Sequence, residues 1–404
     1  MVEYKIILEI FIWIFSFYLG LSSVYLFIFS ISSLFYRKKQ NFESPVLKTF
    51  LVLIPAYKED NVIINTATEA LKQNYPSKLY DVYVIADSFK KTTIDELKTR
   101  NINVLEVSFT KSSKANSINK ALSVINKIYD ATIILDADNI MEVDFIKKMN
   151  YLFSNGHNII QAHRVAKNQN NSIAVLDAIS EEINNSLFRK GHSALGLSCS
   201  LIGSGIAFEY HIYKDLMLSI DSPFDEDKEI ELKLFERKFK ISYLAEAFVY
   251  DEKISAAKTF INQRSRWISS QFHYAKRYFF KAFYKLFTQL NIELFDKLIQ
   301  LIILPRIIML GVLFAGSVLS FFFGSTTLFY FWIISTLICY SAIIFAIPKY
   351  FFNKKTLKAL LYLPYGFLLM LFSIFSFKKA RKNFNPTPHT NNNNSYNNFK
   401  NKNK

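Results

Sequence analysis

Cysteine, glycine and proline are all scarce in this 404-residue sequence, which has 2 cysteines, 10 glycines and 9 prolines. Cys199 and Cys339 lie far apart, and neither has a histidine or cysteine at metal-ligand spacing. A disulfide framework and a structural zinc site are therefore excluded, and a reducing compartment is favoured. The low glycine content excludes a collagen-like chain, and a hydrophobic content of 51% excludes full disorder.

Acidic residues are also few: the sequence has 33 Asp and Glu against 49 Lys and Arg, which gives a net charge of +16. Such an excess would suggest nucleic acid, but it is confined to residues 37–48, 258–285, 349–358 and 378–404, which carry +3, +7, +4 and +7. The rest of the chain, at −5, is acidic on balance, so a nucleic-acid partner is excluded. Each basic block flanks an apolar run, as cytoplasmic loops beside membrane helices do.

The first apolar run, residues 10–36, contains no charged residue. It is too long for the apolar core of a signal peptide, about 7–15 residues, and long enough to cross a hydrocarbon layer of about 30 Å. The sequence therefore predicts a membrane-spanning anchor. Arg37, Lys38 and Lys39 place the following domain in the cytoplasm of a multi-pass cell-membrane protein.

Two further spans are predicted at residues 298–323 and 326–347, joined by a hairpin at Gly324-Ser325. Arg306 is costly in lipid, so it is expected to face protein, a lumen or headgroups. Basic residues mark both ends of residues 357–377 as cytoplasmic, and Pro364 and Gly366 interrupt this segment. A re-entrant or interfacial element is therefore favoured over a further span, which stays an alternative.

Between the membrane segments, short runs rich in Val and Ile alternate with amphipathic stretches of helical length. The runs are residues 50–54, 82–85 and 132–135, and the stretches include 62–73 and 115–128. Such alternation predicts an α/β domain with a mostly parallel sheet, whose ligands gather at the carboxyl ends of the strands.

Residues 272–290 combine lysine and arginine with phenylalanines at helical spacing, which predicts a helix lying in the headgroup layer and contacting membrane lipids. An ordinary surface helix is the alternative. The predicted division is a membrane anchor with its basic flank at 1–48, a catalytic domain at 49–271, an interfacial segment at 272–297, a membrane region at 298–377 and a basic, Asn-rich disordered tail at 378–404.

The strongest local motif is Asp136-Ala-Asp138, which follows an apolar strand. Two carboxylates at a strand end supply the hard oxygen ligands that Mg²⁺ or Mn²⁺ prefers when it bridges phosphates. Alone the motif is weak, because loops after strands also carry acids for solubility or as helix caps.

Other motifs accompany it in a fixed order. They are Pro55-Ala-Tyr-Lys-Glu59, Asp87 at a second strand end, Lys114 opening a helix, Asp136-Ala-Asp138, Gly203-Ser-Gly205, Glu226-Asp227, and Gln263-Arg-Ser-Arg-Trp267. This ordered set resembles the family 2 glycosyltransferases, the membrane-bound inverting branch that includes cellulose, chitin and hyaluronan synthases and bacterial glycolipid synthases.

The resemblance implies a nucleotide-sugar-binding domain of the GT-A type and a role for each motif. Donor-binding residues would be Pro55, Ala56, Tyr57, Glu59, Asp87, Lys114, Asp136 and Arg266. Acceptor-binding residues would be Gly203, Ser204, Gly205, Gln263 and Trp267. Asp138, with Asp136, would hold the divalent metal, and Asp227 would be the catalytic base.

The implied reaction moves a sugar, with inversion, from a UDP-linked donor to a polysaccharide or a lipid-linked acceptor. A helix cap is the alternative for Asp227, and an interfacial anchor is the alternative for Trp267. Ser88 stands where many relatives carry a second acid, and His163 is either a third metal ligand or a hydrogen-bonded surface residue. The non-enzymatic alternative is an inactive membrane scaffold of a polysaccharide-assembly complex, against which the intact motifs argue.

Overall fold

The computed structural model describes residues 2–39, 41–220 and 226–380. Residues 381–404, which hold most of the predicted disordered tail, lie outside the described residues.

Eight strands in the described part of the chain form one sheet with the order β3-β2-β1-β4-β7-β6-β8-β5. Strands β3, β2, β1 and β4 run parallel, β7 is antiparallel to both its neighbours, and β6 and β8 are again parallel. The predicted α/β fold with a mostly parallel sheet is confirmed. The strands are β1 Phe50–Tyr57, β2 Tyr80–Asp87, β3 Asn103–Val107, β4 Ala131–Ile134, β5 Ile140–Met141, β6 Ile159–Ala166, β7 Ile206–Glu209 and β8 Ser242–Asp251.

Strand β1 is apolar on both faces because both faces of the sheet are covered. Phe50, Val52 and Ile54 point into one core, whereas Leu51 and Leu53 point into the other. This alternation follows from the two-residue period of a strand, and it explains why the parallel strands read as unbroken apolar runs. The sheet therefore lies between two layers of helices.

The helices of the described residues fall into a first set that precedes β8 and a later set that follows it. The first set is α1 Val2–Ser33, α2 Ile63–Ala70, α3 Lys91–Thr99, α4 Lys114–Val124, α5 Phe145–Ser154, α6 Ser172–Asn184, α7 His192–Ala194, α8 Tyr210–Leu218 and α9 Glu226–Glu236. The later set is α10 Ala257–Gln289, α11 Ile292–Ile302, α12 Arg306–Phe323, α13 Thr326–Ala346, α14 Lys354–Leu360 and α15 Leu363–Ala380. A π-helical turn, Asn185–Gly191, joins α6 to α7.

Three helices of the described chain are long and apolar enough to cross a membrane, over Tyr4–Ser33, Arg306–Phe323 and Thr326–Ala346. Helices α12 and α13 form the hairpin predicted at Gly324-Ser325. The predicted span at 298–323 is interrupted, because α11 ends at Ile302 and α12 begins after Pro305, which has no N–H to continue the hydrogen-bonded turns of a helix.

The pair Lys354–Leu360 and Leu363–Ser376 is bent by 51° and is either a broken span or a re-entrant loop. Both alternatives given for residues 357–377 therefore stay open. Arg306 faces protein: its guanidinium donates to Asn184 Oδ1 at 2.5 Å and to the carbonyl and hydroxyl oxygens of Ser180 at 3.1 and 3.0 Å. These contacts to α6 satisfy the cation at the start of α12.

The helices that are long and apolar enough to cross a membrane pack directly on the α/β domain. Gly191 lies so close to α1 that an added Cβ would be 2.1 Å from the carbonyl oxygen of Phe29. Ser30 in turn donates to the carbonyl of Ala342 at 2.6 Å, which ties α1 to α13. The helices α1, α6, α12 and α13 thus share one core.

The predicted interfacial segment covers the second half of α10 and the start of α11. Phe272, Phe280 and Phe287 on α10 are 53%, 83% and 78% exposed. An apolar stripe of this kind on a helix rich in cations is typical of an amphipathic helix.

Candidate active site

The carboxyl ends of β1 and β2 hold the first motif residues. Tyr57 and Asp87 are register partners, as are Ala56 and Ala86. Asp87 is buried, and its Oδ1 accepts a hydrogen bond from the Ser88 hydroxyl at 2.9 Å. Its Oδ2 has no hydrogen-bond partner within the described residues. A buried carboxylate oxygen of this kind is free to accept a hydrogen bond from a bound ligand.

The turn after β4 carries Asp136 and Asp138. The backbone N–H of Asp136 donates to Ser204 Oγ at 2.9 Å, and the Ser204 hydroxyl donates to Asn139 Oδ1 at 2.6 Å. Asp138 is buried, and its Oδ2 accepts the backbone N–H of Glu252 at 3.2 Å. The Ser204 side chain is thus committed to holding the turn that carries both carboxylates.

Strand β7 runs antiparallel to β4, which places the start of β7 beside the end of β4. The N–H of Gly205 donates to the Ile134 carbonyl at 2.9 Å. Gly205 has φ +64°, and a Cβ there would be 2.8 Å from Val249 Cγ2, so packing as well as backbone conformation requires glycine. At Gly203, an added Cβ would lie 3.2 Å from Lys114 Nζ and 3.4 Å from Asp227 Cβ.

Lys114 is the cation that joins these motifs. Ser113 caps α4 by accepting the Asn116 N–H at 3.1 Å, which fixes Lys114 as the first residue of the helix. Lys114 Nζ donates to Asp136 Oδ1 and to the Gly203 carbonyl, both at 2.6 Å. Burial alone would lower the pKa of Lys114, but the carboxylates of Asp136 and Glu226 prevail and raise it.

A small pocket lies between Lys114, Gly203, Glu226 and Asp227, with an apolar floor that includes Ile134 and Ile206. Glu226 and Asp227 open α9, and Glu226 Oε1 is 3.8 Å from Lys114 Nζ. Burial raises the pKa of Glu226 to about 7, with Lys114 opposing and Asp227 adding to the shift. The sequence gives no sign that Glu226 differs from its neighbour Asp227, because burial cannot be read from two adjacent acids.

The Gln263-Arg-Ser-Arg-Trp267 segment lies in the first half of α10, outside this pocket lining. It is tied to α9, because Lys228 Nζ donates to the carbonyl of Trp267 at 3.1 Å. The guanidinium of Arg264 lies 4.2 Å from the indole centroid of Trp267 and pairs with Asp177. Arg264 was not singled out from sequence, although it is a cation inside the motif.

Two residues of the sequence Gln161-Ala-His-Arg164 are buried and hydrogen-bonded. Gln161 Oε1 accepts the Ile202 N–H at 2.8 Å, and its amide donates to the carbonyls of Ser204 and Gly205, both at 3.2 Å. His163 is hydrogen-bonded as predicted, to Glu182 at 2.9 Å and to the Ala245 carbonyl at 3.1 Å. Its predicted surface location is wrong, because the ring is buried.

Within the described residues, no group of three or more His, Cys, Asp or Glu side chains forms a metal cage. Asp136 and Asp138 nevertheless fit Mg²⁺ or Mn²⁺, because these ions are commonly bound through one or two carboxylates while phosphates and water complete the shell. The donor set is made of hard oxygens and stands at a strand end beside a cation suited to phosphate.

The sequence profile described as Glycosyltransferase like family 2 matches residues 48–270. The chain belongs to this family, and its activity is that of a glycosyltransferase. No curated protein sequence matches the chain.

Solved structures with a similar fold include a mannosyltransferase of Pyrobaculum calidifontis, with a TM-score of 0.55 and 13% identity over 89% of this chain and 99% of the other. Two more are S. aureus TarS 1-349, with a TM-score of 0.39 and 15% identity over 83% and 90% of the chains, and a glucosyl-3-phosphoglycerate synthase of M. tuberculosis, with 0.33 and 14% over 52% and 73%. At 13% identity the likeness to the Pyrobaculum protein shows the GT-A-like fold alone.

We predict that Glu226→Gln stabilises the protein at alkaline pH. The folded-state pKa of Glu226, about 7, lies above the ordinary 4.5, so the folded protein binds this proton more tightly than the unfolded chain. The free energy of unfolding contributed by Glu226 therefore falls as pH rises through this interval. Between pH 5.5 and 8, the advantage of the variant should grow by about 1–2 kcal/mol, as measured by thermal unfolding in detergent.

Glu236→Gln is the matched control, because the pKa of Glu236 is lowered, with Lys281 and Lys285 outweighing burial. That variant should lose rather than gain stability above pH 4.5. An advantage of Glu226→Gln that stays constant over the whole pH range would contradict the prediction.

Proposed function

We propose that the protein transfers a sugar from a UDP-linked donor, with inversion, to a saccharide or lipid-linked acceptor at the cytoplasmic face of the membrane. The observation that carries the proposal is the cluster formed by Lys114, Asp136, Gly203 and Asp227 at the carboxyl edge of the sheet. It places a cation for a leaving diphosphate next to a carboxylate suited to accept a proton.

The donor nucleotide is proposed to bind over the ends of β1 and β2. Pro55, Ala56, Tyr57 and Glu59 lie along this edge, with Asp87 opposite Tyr57. The unpartnered Oδ2 of Asp87 supports this placement, since it can accept a hydrogen bond from a base N–H or a ribose hydroxyl. The Pyrobaculum mannosyltransferase, described in complex with GDP-Man and Mn²⁺, supports a nucleotide-sugar donor and a divalent cation.

The reaction needs three events at this site. Asp227 accepts the proton of the acceptor hydroxyl, the hydroxyl oxygen forms a bond to the anomeric carbon, and the bond from that carbon to the diphosphate breaks, with its electron pair leaving on the phosphate oxygen. Attack opposite the leaving group inverts the anomeric centre. Lys114, held at 2.6 Å from Asp136, is placed to stabilise the negative charge of the diphosphate.

Asp138 and Asp136 would hold Mg²⁺ or Mn²⁺, which would neutralise charge on the diphosphate. Arg266 is proposed to bind the same diphosphate by paired hydrogen bonds. Ser204 holds the turn of Asp136 and Asp138 in place, because its hydroxyl accepts the Asp136 N–H and donates to Asn139 Oδ1.

The acceptor is proposed to approach over Gly203–Gly205, Gln263 and Trp267. Gly203 permits a close backbone approach beside Asp227, because a side chain there would contact both Lys114 and Asp227. Trp267 is proposed to stack on an acceptor sugar ring through its indole, whose centroid also lies 4.2 Å from the guanidinium of Arg264.

The membrane location is supported by the three long apolar helices and by the exposed phenylalanines of α10. We propose that α10 lies in the headgroup layer, with its phenylalanines in lipid and its lysines on phosphates. The basic flanks near Lys38 and Lys354 favour a cytoplasmic catalytic domain and an external amino terminus.

Asp227→Asn tests the catalytic base. The amide keeps the size and most of the hydrogen bonding at the start of α9, at a cost of at most about 1 kcal/mol, but it cannot accept the proton. General-base assistance is worth about 10²–10⁴-fold in rate. In a panel of nucleotide sugars, nucleotide release from the accepted donor should fall at least about a hundredfold, with donor affinity near normal.

A fall of less than about tenfold, or a loss of donor binding in proportion to the rate, would assign Asp227 to capping instead. If the wild-type protein in native membranes releases nucleotide from none of the donors in the panel, that result would count against the proposed activity itself and favour the inactive scaffold.

Asp138→Asn tests the metal. The substitution preserves the side-chain volume but removes a carboxylate ligand, so the variant should lose turnover. The wild-type enzyme should also lose turnover in excess chelator. Added Mn²⁺ should restore turnover of the chelated wild-type enzyme but not of the variant. Asp144→Asn is the control, because Asp144 bonds Asn74 at the exposed start of α5. Full turnover in excess chelator would refute a divalent metal requirement.

Cysteine labelling tests the topology on a background in which Cys199 and Cys339 are replaced. A cysteine at Ser325 should react with an impermeant reagent in intact cells, whereas cysteines at Lys39 and Lys382 should react only after lysis. Labelling at Lys382 in intact cells would establish residues 357–377 as a full span. Failure of Ser325 to react would overturn the whole orientation.

A further inference from the structure

Helix α11 presents a polar face to the loop that leads into Gly203. The carboxylate of Glu293 accepts the backbone N–H of Ser198 at 3.0 and 3.2 Å. One turn later, Lys297 Nζ donates to Ser200 Oγ at 3.1 Å, and Gln300 Oε1 accepts the Ser200 hydroxyl at 2.7 Å. Three successive turns of α11 therefore hold residues 198–200.

Lys297 also makes a buried ion pair with α9, the helix that begins with the Glu226-Asp227 pair. Its Nζ lies 2.7 Å from Glu231 Oε2, and the two side chains are only 10% and 2% exposed. The other oxygen of Glu231 accepts the backbone N–H of Leu201 at 3.0 Å. A single carboxylate thus binds both α11 and the loop.

The position of Glu231 on α9 connects the ion pair with Lys297 to Asp227. Glu231 lies four residues after Asp227, about one helical turn, so its contacts fix the rotation of α9 and with it the direction of Asp227. Leu201 lies two residues before Gly203, whose carbonyl accepts Lys114. The pair is therefore connected to the proposed base and to the proposed acceptor loop at once.

We propose that Glu231 and Lys297 are positioning residues for transfer, which hold Asp227 and the Gly203 loop in their mutual arrangement. This inference rests on the proposed function and assigns two residues that lie outside its motifs. A buried ion pair is a poor source of net stability, because desolvation offsets the attraction, but it fixes the arrangement of the elements that it joins.

The membrane anchor reaches the same helix from its other side. Asp296, next to Lys297, accepts the hydroxyl of Tyr25 from α1 at 2.8 Å and the amide of Gln300 at 2.8 Å. Because α11 is held between α1 and the loop, the ion pair extends a continuous set of contacts from the anchor to the pocket.

The test compares Lys297→Met with Lys127→Met in native membranes and in detergent. Lys127 pairs with Asp81 at a similar distance of 2.6 Å, but at the opposite end of the sheet. Lys297→Met should slow nucleotide release about 10- to 100-fold, the effect expected for a displacement near 1 Å, while the affinity for UDP with Mn²⁺ stays near wild type. The melting temperature should fall, because Glu231 is left buried without its cation, so release is measured well below the melting transition of the variant. Lys127→Met should leave all three unchanged.

Two further variants separate positioning from folding. Glu231→Gln keeps an acceptor for the Leu201 N–H but removes the charge, so it should slow release in the same way, and Lys297→Arg should recover much of the rate. Activity of Lys297→Met within twofold of wild type would overturn the inference. So would a loss that follows a fall in melting temperature and is absent in Glu231→Gln.

Hydrogen exchange gives a readout that needs no substrate. In Lys297→Met, exchange should rise in residues 198–205 and in the first turn of α9, and stay unchanged in β1 and β2. Unchanged exchange at residues 198–205 overturns the inference whatever the activity. A wild-type protein that releases no nucleotide, while the variant shows the raised exchange, would count against the proposed function alone.

Discussion

The antiparallel pairing of β7 with β4 is the constraint on which the site depends. In a wholly parallel sheet, the start of β7 would lie at the opposite edge from the end of β4. Because β7 runs the other way, the hydrogen bond from Gly205 to Ile134 brings the Gly203 loop beside Asp136. The Ser204 hydroxyl then links the loop to the turn of Asp136 and Asp138, so one strand direction sets the distance between the proposed donor and acceptor sides.

Charge around the pocket follows a consistent pattern. Carboxyl groups outnumber cations among the lining residues, with Glu226 and Asp227 facing Lys114, and Asp136 and Asp138 stand just above. An anionic diphosphate would be repelled by such a surface unless a cation accompanied it, which is the physical argument for the proposed divalent metal. The raised pKa of Glu226 has the same origin, because burial next to another acid disfavours a further negative charge.

The helices that are long and apolar enough to cross a membrane pack on the glycosyltransferase domain and on one another. Helix α1 packs against the π-helical turn at Gly191 and against α13 through Ser30. Ser265, inside the Gln263–Trp267 motif, donates to the carbonyl of Ser373 on α15 at 2.9 Å. Helices α10 and α15 therefore share a hydrogen bond, and a change in the bent α14–α15 pair would reach the motif helix α10 directly.

The sequence by itself determined the α/β class, the family motifs, the apolar segments and the hairpin at Gly324-Ser325, because these depend on local patterns of hydrophobicity and on short motifs. Periodicity could not reveal that Ser204 supports Asp136, that Gly205 is required by Val249, or that His163 is buried against Glu182. Those facts depend on which strand lies next to which.

Tertiary structure alone decided the strand order and the pair of Glu231 with Lys297. Glu231 and Lys297 are 66 positions apart, and a single sequence does not show that they are in contact. Each has the pattern of an ordinary charged residue on an amphipathic helix. Burial gives them their effect, since a charge removed from water interacts strongly with the few groups that packing places beside it. The packing of α11 between the anchor and the loop thus determines that Glu231 and Lys297 form a pair, which the sequence alone does not show.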